Sequence, residues 1–597
     1  MFSRRKISER ELLDLNNLKE IVKALINATL ENEIEDVGIS AEELEKRDER
    51  KALLEEYLRL CGTGSPGVKE YLKNYIEDLL SRDCEIDEDR INYIIPFDNH
   101  DKLSIQDKFE ILILKYKKKY KDDAFKMLIK KYKFDKLRDS EEQKKFFISK
   151  EDVNKIFEEE CPKLDYEDKL EILAQRIYQE NYGLGVIDDI RDLNISGLSC
   201  GVSGIPESYL PGLKRTGMTQ EQIDSIPKSY DSVWLYFEGK EIHLSFMTFG
   251  SYEELERVCK LAYKYNDPGQ LSEAEPYKFN TTADHYRVVV FRPPFSETWI
   301  LIYRKFNVNG DLKKMIVGDN AKEILALNDF ILKGEQNVFI LGGQGAGKTT
   351  YLKGLQNLLG MFYTSRGSEL FFEMHSRMLN PNRNTLFLQD VKDVPREEAL
   401  DSLKKTNGHV VIIGEAAEAK DLGYVSQVSP TSKLVMGTHH AKSMQDFIRA
   451  ERNALLNIGL FNDARLAEEE AISMTHFTIS LRSPLEGGQG ILSIDECIPI
   501  EEEDYNMDFE NIDKLDEKVN AFMKTTVQFF EKMTNRKRYR VNTILKYDID
   551  IGRFYFPNKI SEKRRKAMEE SMLKEDRKSF RKFCDEVLGR DRCMLDE

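Results

Sequence analysis

The chain has 597 residues, too many for one hydrophobic core, so roughly two to four domains are expected. Hydrophobic residues make up 41% and charged residues 33%, a soluble globular balance with an unusually charged surface. A net charge of −16 and a pI near 5.3 exclude general attraction to free nucleic acid, which would need a local basic patch.

The chain opens with "MFSRRKISERELLDL", which is basic but lacks the apolar core of a signal segment. No run approaches the roughly 18 apolar residues of a spanning helix. Residues 1–165 are expected to be a helical extension. Apolar positions recur every three or four residues in "ELLDLNNLKEIVKALINATL" and "IQDKFEILILKYKKKYKDDAFKMLIKKY", and "CGTGSPG" (Cys61 to Gly67) breaks the helices. Residues 166–310 read as an α+β domain. "SVWLYFEGKEIHLSFMTFG" alternates as strands do, and "SYEELERVCKLAYKY" reads as a helix capped by Ser251. "HYRVVVFRPP" and "TWILIYRKF" read as further strands. Residues 311–504 follow the order strand, glycine loop, helix, strand of a parallel α/β sheet, with "NVFILG" and "HVVIIG" as strands buried on both faces. Residues 505–597 are expected to be a helical C-terminal extension.

"LGGQGAGKTTYL" carries the pattern GxxxxGK[ST] in Gly342, Gly347, Lys348 and Thr349. Glycines let backbone N–H groups curl around phosphate oxygens without a Cβ in the way. The helix that follows points its positive end at the bound charge. Gly342, Gly343, Gln344, Gly345, Ala346, Gly347, Lys348, Thr349 and Thr350 are therefore the expected nucleotide cradle, with Lys348 toward the β- and γ-phosphates and the Thr349 hydroxyl on Mg²⁺. An NKxD guanine signature is missing from any suitable place. The helix is expected to close at Gly360.

Two acids follow. Glu415, in "HVVIIGEAAEA", stands just past a buried strand about seventy residues after the loop, where an acid can hold the Mg²⁺ shell or polarise water. Glu373, in "ELFFEMHSRM", is expected at another strand end, where it would orient attacking water as a general base. Glu369 and Glu418 fit a solvated surface. "KLVMGTHHAKS" places Thr438, His439 and His440 after a short apolar strand. One of these histidines is a candidate sensor of the γ-phosphate, and the pair without a third ligand is a poor metal site. The eight cysteines, at 61, 84, 161, 200, 259, 497, 584 and 593, form no CxxC pair and fit reduced thiols in the cytoplasm.

The order of these parts resembles the type II/type IV secretion ATPase family, most of all the branch that assembles tight-adherence (Flp) pili, over roughly 170–500. "YGLGVIDDI" and "SVWLYFEGKEIHLSFMTFGSYEEL" look like its N-terminal domain, and "WILIYRKF" like the strand leading to its motor. "GGQGAGKTT", "VVIIGE" and "GTHHAKS" resemble its Walker A, Walker B and histidine box, and "ISLRSPLEGGQGILSIDEC" its closing strands. The resemblance implies an α/β P-loop (RecA-like) motor domain with an α+β N-terminal domain, to which the periodicity of the flanks adds helical extensions at both ends. It implies a homohexamer that hydrolyses ATP with Mg²⁺ and drives a membrane-embedded platform protein of a pilus, secretion or conjugation machine. Such a protein works in the cytoplasm, in peripheral contact with the inner face of the membrane, without touching nucleic acid directly. By motif, Glu373 matches the catalytic acid, Glu415 the Walker B acid and Mg²⁺ ligand, His440 the histidine-box residue, and Arg304 an arginine reaching nucleotide from the N-terminal domain.

The departures are specific. "EMHSR" from Glu373 replaces an acidic pair, Ala416 and Ala417 stand where an arginine follows Walker B, and "FLQ" (Phe387 to Gln389) replaces "RLE". Arg377 and Arg449 are the candidates to substitute. A weakly active or inactive nucleotide-binding scaffold regulating such a machine is the alternative these losses favour. Outside the resemblance, "KYKKKYK" (Lys115 to Lys121) and "EKRRKAMEE" read as solvated helix faces or as docking sites for anionic lipid or an acidic partner. "NRKRYR" (Asn535 to Arg540) is too short a basic run to support nucleic-acid binding.

Overall fold

Short alternating and short continuous apolar runs build two separate sheets. The computed structural model describes residues 13–31, 41–140, 143–160, 162–267, 269–306, 310–316, 318, 320–391, 394–482, 490–500, 512, 514–534 and 538–592, apart from the side chains of 41–47, 314 and 531–534. The expectations on the first twelve residues, on Cys161 and Cys593, on "SPLEGGQ" within the closing strands and on residues 535–537 of the basic run lie outside the described residues. The chain forms two compact units, Met1–Phe306 and Asn307–Glu597.

In the first unit, strands β1 (Phe147–Ile148), β2 (Gly197–Cys200), β3 (Val233–Phe237), β4 (Lys240–Leu244), β5 (Tyr277–Thr281), β6 (Arg287–Phe291) and β7 (Ile300–Arg304) make a seven-stranded sheet in the order β1-β4-β3-β2-β7-β6-β5. Alternation aims Leu235, Ile242, Val288, Leu301 and Tyr303 at a core that also takes Leu18, Ile76, Leu112 and Leu173 from the helices. The helices of 1–165 therefore share one core with the α+β sheet. Ser251 caps its helix as expected, its Oγ accepting from Glu254 N at 3.2 Å.

The lysine run reads differently once folded. It closes the helix Ile105–Tyr120, where Lys115 pairs with Glu160 at 2.9 Å, Lys117 with Asp189 and Lys118 with Asp168. These cations neutralise carboxylates of their own unit. Likewise, in "EKRRKAMEE", Arg564 donates to Cys497 O at 2.9 Å and Arg565 pairs with Asp585 at 3.0 Å.

The second unit contains β8 (Val338–Leu341), β9 (Ser365–Glu369), β10 (Thr385–Gln389), β11 (Val410–Ile413), β12 (Leu434–His439), β13 (Phe477–Arg482), β14 (Gly490–Pro499), β15 (Tyr539–Asp548) and β16 (Arg553–Tyr555), ordered β10-β9-β11-β12-β8-β13-β14-β15-β16. The first six in that order run parallel and the last three antiparallel. β8 and β11 are buried throughout, as strands covered on both faces must be. Val338, Ile340, Val410 and Ile412 face a core shared with Leu352, Leu355, Met568 and Phe580. Phe339, Leu341, Val411 and Ile413 face the opposite core, with Leu422, Val425 and Phe447. The stretch 505–597 read as helical also supplies β15 and β16 to this sheet, and its last helix sets Phe580 and Phe583 each 5.3 Å from Phe330.

One buried acid lies away from the sheet ends. Glu451, on the helix Met444–Asn457, is 0% exposed, and its Oε2 accepts from Thr475 Oγ1 at 2.9 Å. Burial raises its carboxyl pKa well above the usual range, so the folded state prefers it protonated. A raised folded pKa stabilises fully below the unfolded pKa near 4.5, and that contribution is lost as pH rises toward the folded pKa. Glu451→Gln, neutral at every pH, is therefore expected to melt a few degrees above wild type at about pH 8 and to match it near pH 4.5, read by calorimetry.

Candidate nucleotide site

β8 ends at Leu341, residues 342–347 turn, and the helix Lys348–Leu358 begins. Gly345 (φ 70°) and Gly347 (φ 87°) are left-handed, a conformation that costs any other common residue about 1 kcal/mol or more. Gly347 is the helix N-cap, so this turn aims the first free N–H groups of the helix into the loop's concavity. Gly343, Gln344 and Gly345 form the exposed rim, while Thr349 and Thr350 are half-buried in the first helical turn. The helix stops at Leu358 with Leu359 as its cap, two residues short of Gly360.

Lys348 is only 8% exposed. Its Nζ donates to Gly342 O at 3.0 Å and Gly343 O at 2.9 Å, and lies 3.3 Å from His440 Nδ1. Burial lowers its pKa, and the charges of Glu415 and Glu373 oppose that shift.

Parallel register brings the partners together. β8 and β12 align Leu341 with His439, and β12 and β11 align Gly437 with Ile413. Glu415, two residues past β11, and His440, one past β12, thus leave the same edge of the sheet as the glycine loop. His440 Nε2 stands 2.6 Å from Glu415 Oε1. An ammonium only donates, so Nδ1 of His440 accepts from Lys348 and Nε2 carries the proton given to Glu415. Three residues from three elements form one line: Lys348, His440, Glu415. Backbone contacts hold it in place. Thr438 Oγ1 donates to Gly414 O at 2.6 Å, Ala416 N to Thr438 O at 2.9 Å, and Gly414 N to Ser368 O at 2.9 Å.

The two histidines part company. His439 turns away, its Nδ1 accepting from Ala441 N at 2.9 Å and its ring 5.1 Å from Phe447. Burial pushes its pKa down to about 4, with His440 and Lys348 adding to the effect, so it stays neutral.

The acidic stretch departs from expectation. β9 ends at Glu369, where its pairing with β10 stops, one residue after its pairing with β11, and Glu373 sits half-buried in the following loop, not at a strand end. Glu373 N closes a tight turn onto Phe371 O at 2.6 Å. Its charge acts on both Lys348 and Lys353. Glu369, expected on a solvated face, is 3% exposed, and burial raises its carboxyl pKa to about 8. Lys353, on the loop's own helix, is 2% exposed, and burial lowers its pKa to about 8. The sequence pattern marks Glu369 only as a solvated acid and does not mark Lys353 at all. The one usable signal for Lys353 is its place on a helix covered on nearly every side, where a long cation needs a carboxylate.

Glu418 caps the helix Ala419–Val428 in a reciprocal bond pair with Asp421. Arg377 is exposed just after the Glu373 loop, and Arg449 is exposed beside Asp446. Arg304 belongs to the first unit, where it ends β7 and its guanidinium lies 4.8 Å from the ring centroid of Tyr236. The donor set suits a nucleotide with a hard cation: a left-handed glycine cradle, a buried ammonium, the Thr349 hydroxyl and the Glu415 carboxylate. Among the described residues, no group of three or more His, Cys, Asp and Glu offers a metal-only site. The six described cysteines are buried free thiols. No helix among the described residues is long and apolar enough to cross a membrane.

The order β9-β11-β12-β8-β13 puts one strand, β12, between the loop strand β8 and the acid strand β11. With the loop at the carboxyl edge of β8, this makes the second unit a RecA-like P-loop α/β fold. No protein-family model matches the chain, and no curated protein matches it significantly. Similar solved structures include the VirB11 ATPase of the Brucella suis type IV secretion system in complex with sulphate, at 15% identity over 44% of this chain and 86% of that one, TM-score 0.25. The Legionella pneumophila ATPase DotB is similar at 14% identity over 57% and 86%, TM-score 0.34. The pilus retraction motor PilT with bound ADP is similar at 13% identity over 60% and 90%, TM-score 0.35.

Proposed function

We propose that this chain hydrolyses ATP and powers assembly of a type IV or Flp-like pilus, or of a related secretion or conjugation machine. The line Lys348–His440–Glu415 across the glycine loop carries the hydrolase reading, and the order of motifs along the chain supports the machine.

In this reading the loop amides from Gly342 to Lys348 and the Lys348 ammonium hold the phosphates, which frees Gly342 O and Gly343 O from their present bonds to Nζ. Thr349 and Glu415 hold Mg²⁺, partly through water. The ion neutralises phosphate charge and favours departure of the leaving group when bound. Glu373 orients a water and takes its proton as the water oxygen bonds the γ-phosphorus and the bond to the ADP oxygen breaks. His440 keeps Glu415 aimed at the cation and senses the γ-phosphate. Arg304 is the further arginine that the resemblance assigns to nucleotide. Subunits assemble as a homohexamer that completes each site and pushes a membrane-embedded platform protein, from the cytoplasm and against the inner face of the membrane. No step requires nucleic acid.

The test is steady-state phosphate release by the full chain with Mg²⁺, alone and with anionic vesicles. Release that stops on chelation supports the hydrolase. Tight ATP binding without release in either condition supports the second reading, a nucleotide-binding scaffold, which Ala416 and Ala417 favour by leaving the Walker B loop without an arginine.

A further inference from the structure

The end of the phosphate-loop helix is joined to the chain just past Glu373. Ser376 Oγ donates to Gln356 Oε1 at 2.8 Å, and Asn380 Nδ2 to Asn357 Oδ1 at 2.7 Å. Arg383, just beyond, donates to Leu359 O at 2.7 Å and to Gly360 O at 2.9 Å, at the end of the same helix. The joint nearest Glu373 is Glu369. Its Oε1 accepts from Met374 N at 2.8 Å, pinning the residue next to Glu373, and Met374 is fully buried. Its side chain crosses Gly414, where a Cβ would stand 2.9 Å from Glu369 Cγ and 3.3 Å from Oε1. The backbone of the residue before Glu415 is therefore part of the seat, and only glycine leaves room for the carboxyl. The charges that bear on Glu369 are Lys353, from the phosphate-loop helix, and Glu373 itself. Glu369 thus touches two pieces of the site, the Glu373 loop and Gly414 just before Glu415, and feels the charge of Lys353 on the helix after the glycine loop.

A carboxyl is costly to bury, and an exposed strand-end acid would bear none of that cost. Here burial raises the carboxyl pKa to about 8. What it obtains in exchange is backbone hydrogen bonding from a loop that has few regular bonds of its own, the bond from Met374 N being 2.8 Å. Glu373 belongs to that loop, and a general base is effective only when held within hydrogen-bond reach of the water it activates.

We propose that Glu369 is a positioning residue, which locks the Glu373 loop onto the end of β9 beside Gly414 and so keeps the catalytic acid in register with Glu415. Its catalytic consequence rests on the ATPase reading above, whereas the locking itself does not.

The test compares full-length Glu369→Leu, which has similar bulk and no acceptor, with Glu369→Gln, whose amide oxygen still accepts from Met374 N. Amide hydrogen exchange of the stretch 370–380 is read without nucleotide. Turnover and affinity for a non-hydrolysable ATP analogue are read separately. Loss of the buried acceptor should speed exchange of that stretch about tenfold and lower kcat about tenfold in Glu369→Leu, with analogue affinity within about threefold of wild type. Glu369→Gln should restore both to within about threefold. Unchanged exchange in Glu369→Leu, or loss of protection in Glu369→Gln equal to that in Glu369→Leu, overturns the proposal. Faster exchange with no turnover in any variant, wild type included, upholds the lock and sinks the ATPase reading instead.

Discussion

Lys348→Ala is expected to lower ATP affinity and steady-state hydrolysis by about a hundredfold or more, the scale of losing a preorganised cation aimed at phosphate charge. Lys348 is nearly enclosed and its Nζ bonds only two loop carbonyls and one imidazole nitrogen, so no other cation in those contacts can take its place. Folding should change little. The same burial lowers the lysine's pKa, so the fold gains little from holding its charge, and alanine suits the first turn of a helix. Titration with a fluorescent ATP analogue beside a melting curve separates the two effects. Native affinity in Lys348→Ala would remove the glycine loop from the nucleotide site.

Glu415→Gln should instead bind ATP normally and lose turnover by about three orders of magnitude, the upper range for removing one preorganised electrostatic partner. Glutamine keeps an oxygen for the proton on His440 Nε2, 2.6 Å away, so the line to Lys348 survives while the negative charge does not. His440→Ala breaks the line but leaves the carboxylate, and a smaller loss of roughly tenfold to a hundredfold is expected. Single-turnover and steady-state rates with measured affinities distinguish these outcomes. An equal loss in both variants would mean that His440 acts on the reacting groups directly and not by aiming Glu415.

How far the site could be read from sequence differs from residue to residue. The glycine loop is a local object: its lysine, its threonines and the left-handed glycines are set within a few residues of each other, and the flanking buried strand is a local apolar run. Glu415 and His440 are legible as residues just past such runs. Their meeting over Lys348 is not, because it depends on which strands are neighbours and in what register. The histidine pair makes the limit concrete. Adjacent in sequence, they point to opposite sides, and only the pleat of β12 and its turn decide that His440 faces the loop while His439 packs on Phe447.

Errors arose where burial is decided from afar. Glu369 and Glu373 have the same spacing whether β9 ends at one or the other, and the neighbours β10 and β11 end it at Glu369. "KYKKKYK" is indistinguishable from a free basic face until Glu160, Asp168 and Asp189 are brought to it. "RYRVNTILKYD" follows a charged helical stretch, and becomes β15 because β14 offers an open edge.

Taken alone, the sequence determined the phosphate loop and the small set of acids and histidines able to serve it, since composition, periodicity and glycine placement act over a few residues. The tertiary structure alone decided which of those residues share a site, which acid is buried as a brace and which is presented in a loop, and that most of the lysine run is spent on internal ion pairs. Those outcomes depend on strand order, register and desolvation, which are properties of contacts between distant parts of the chain.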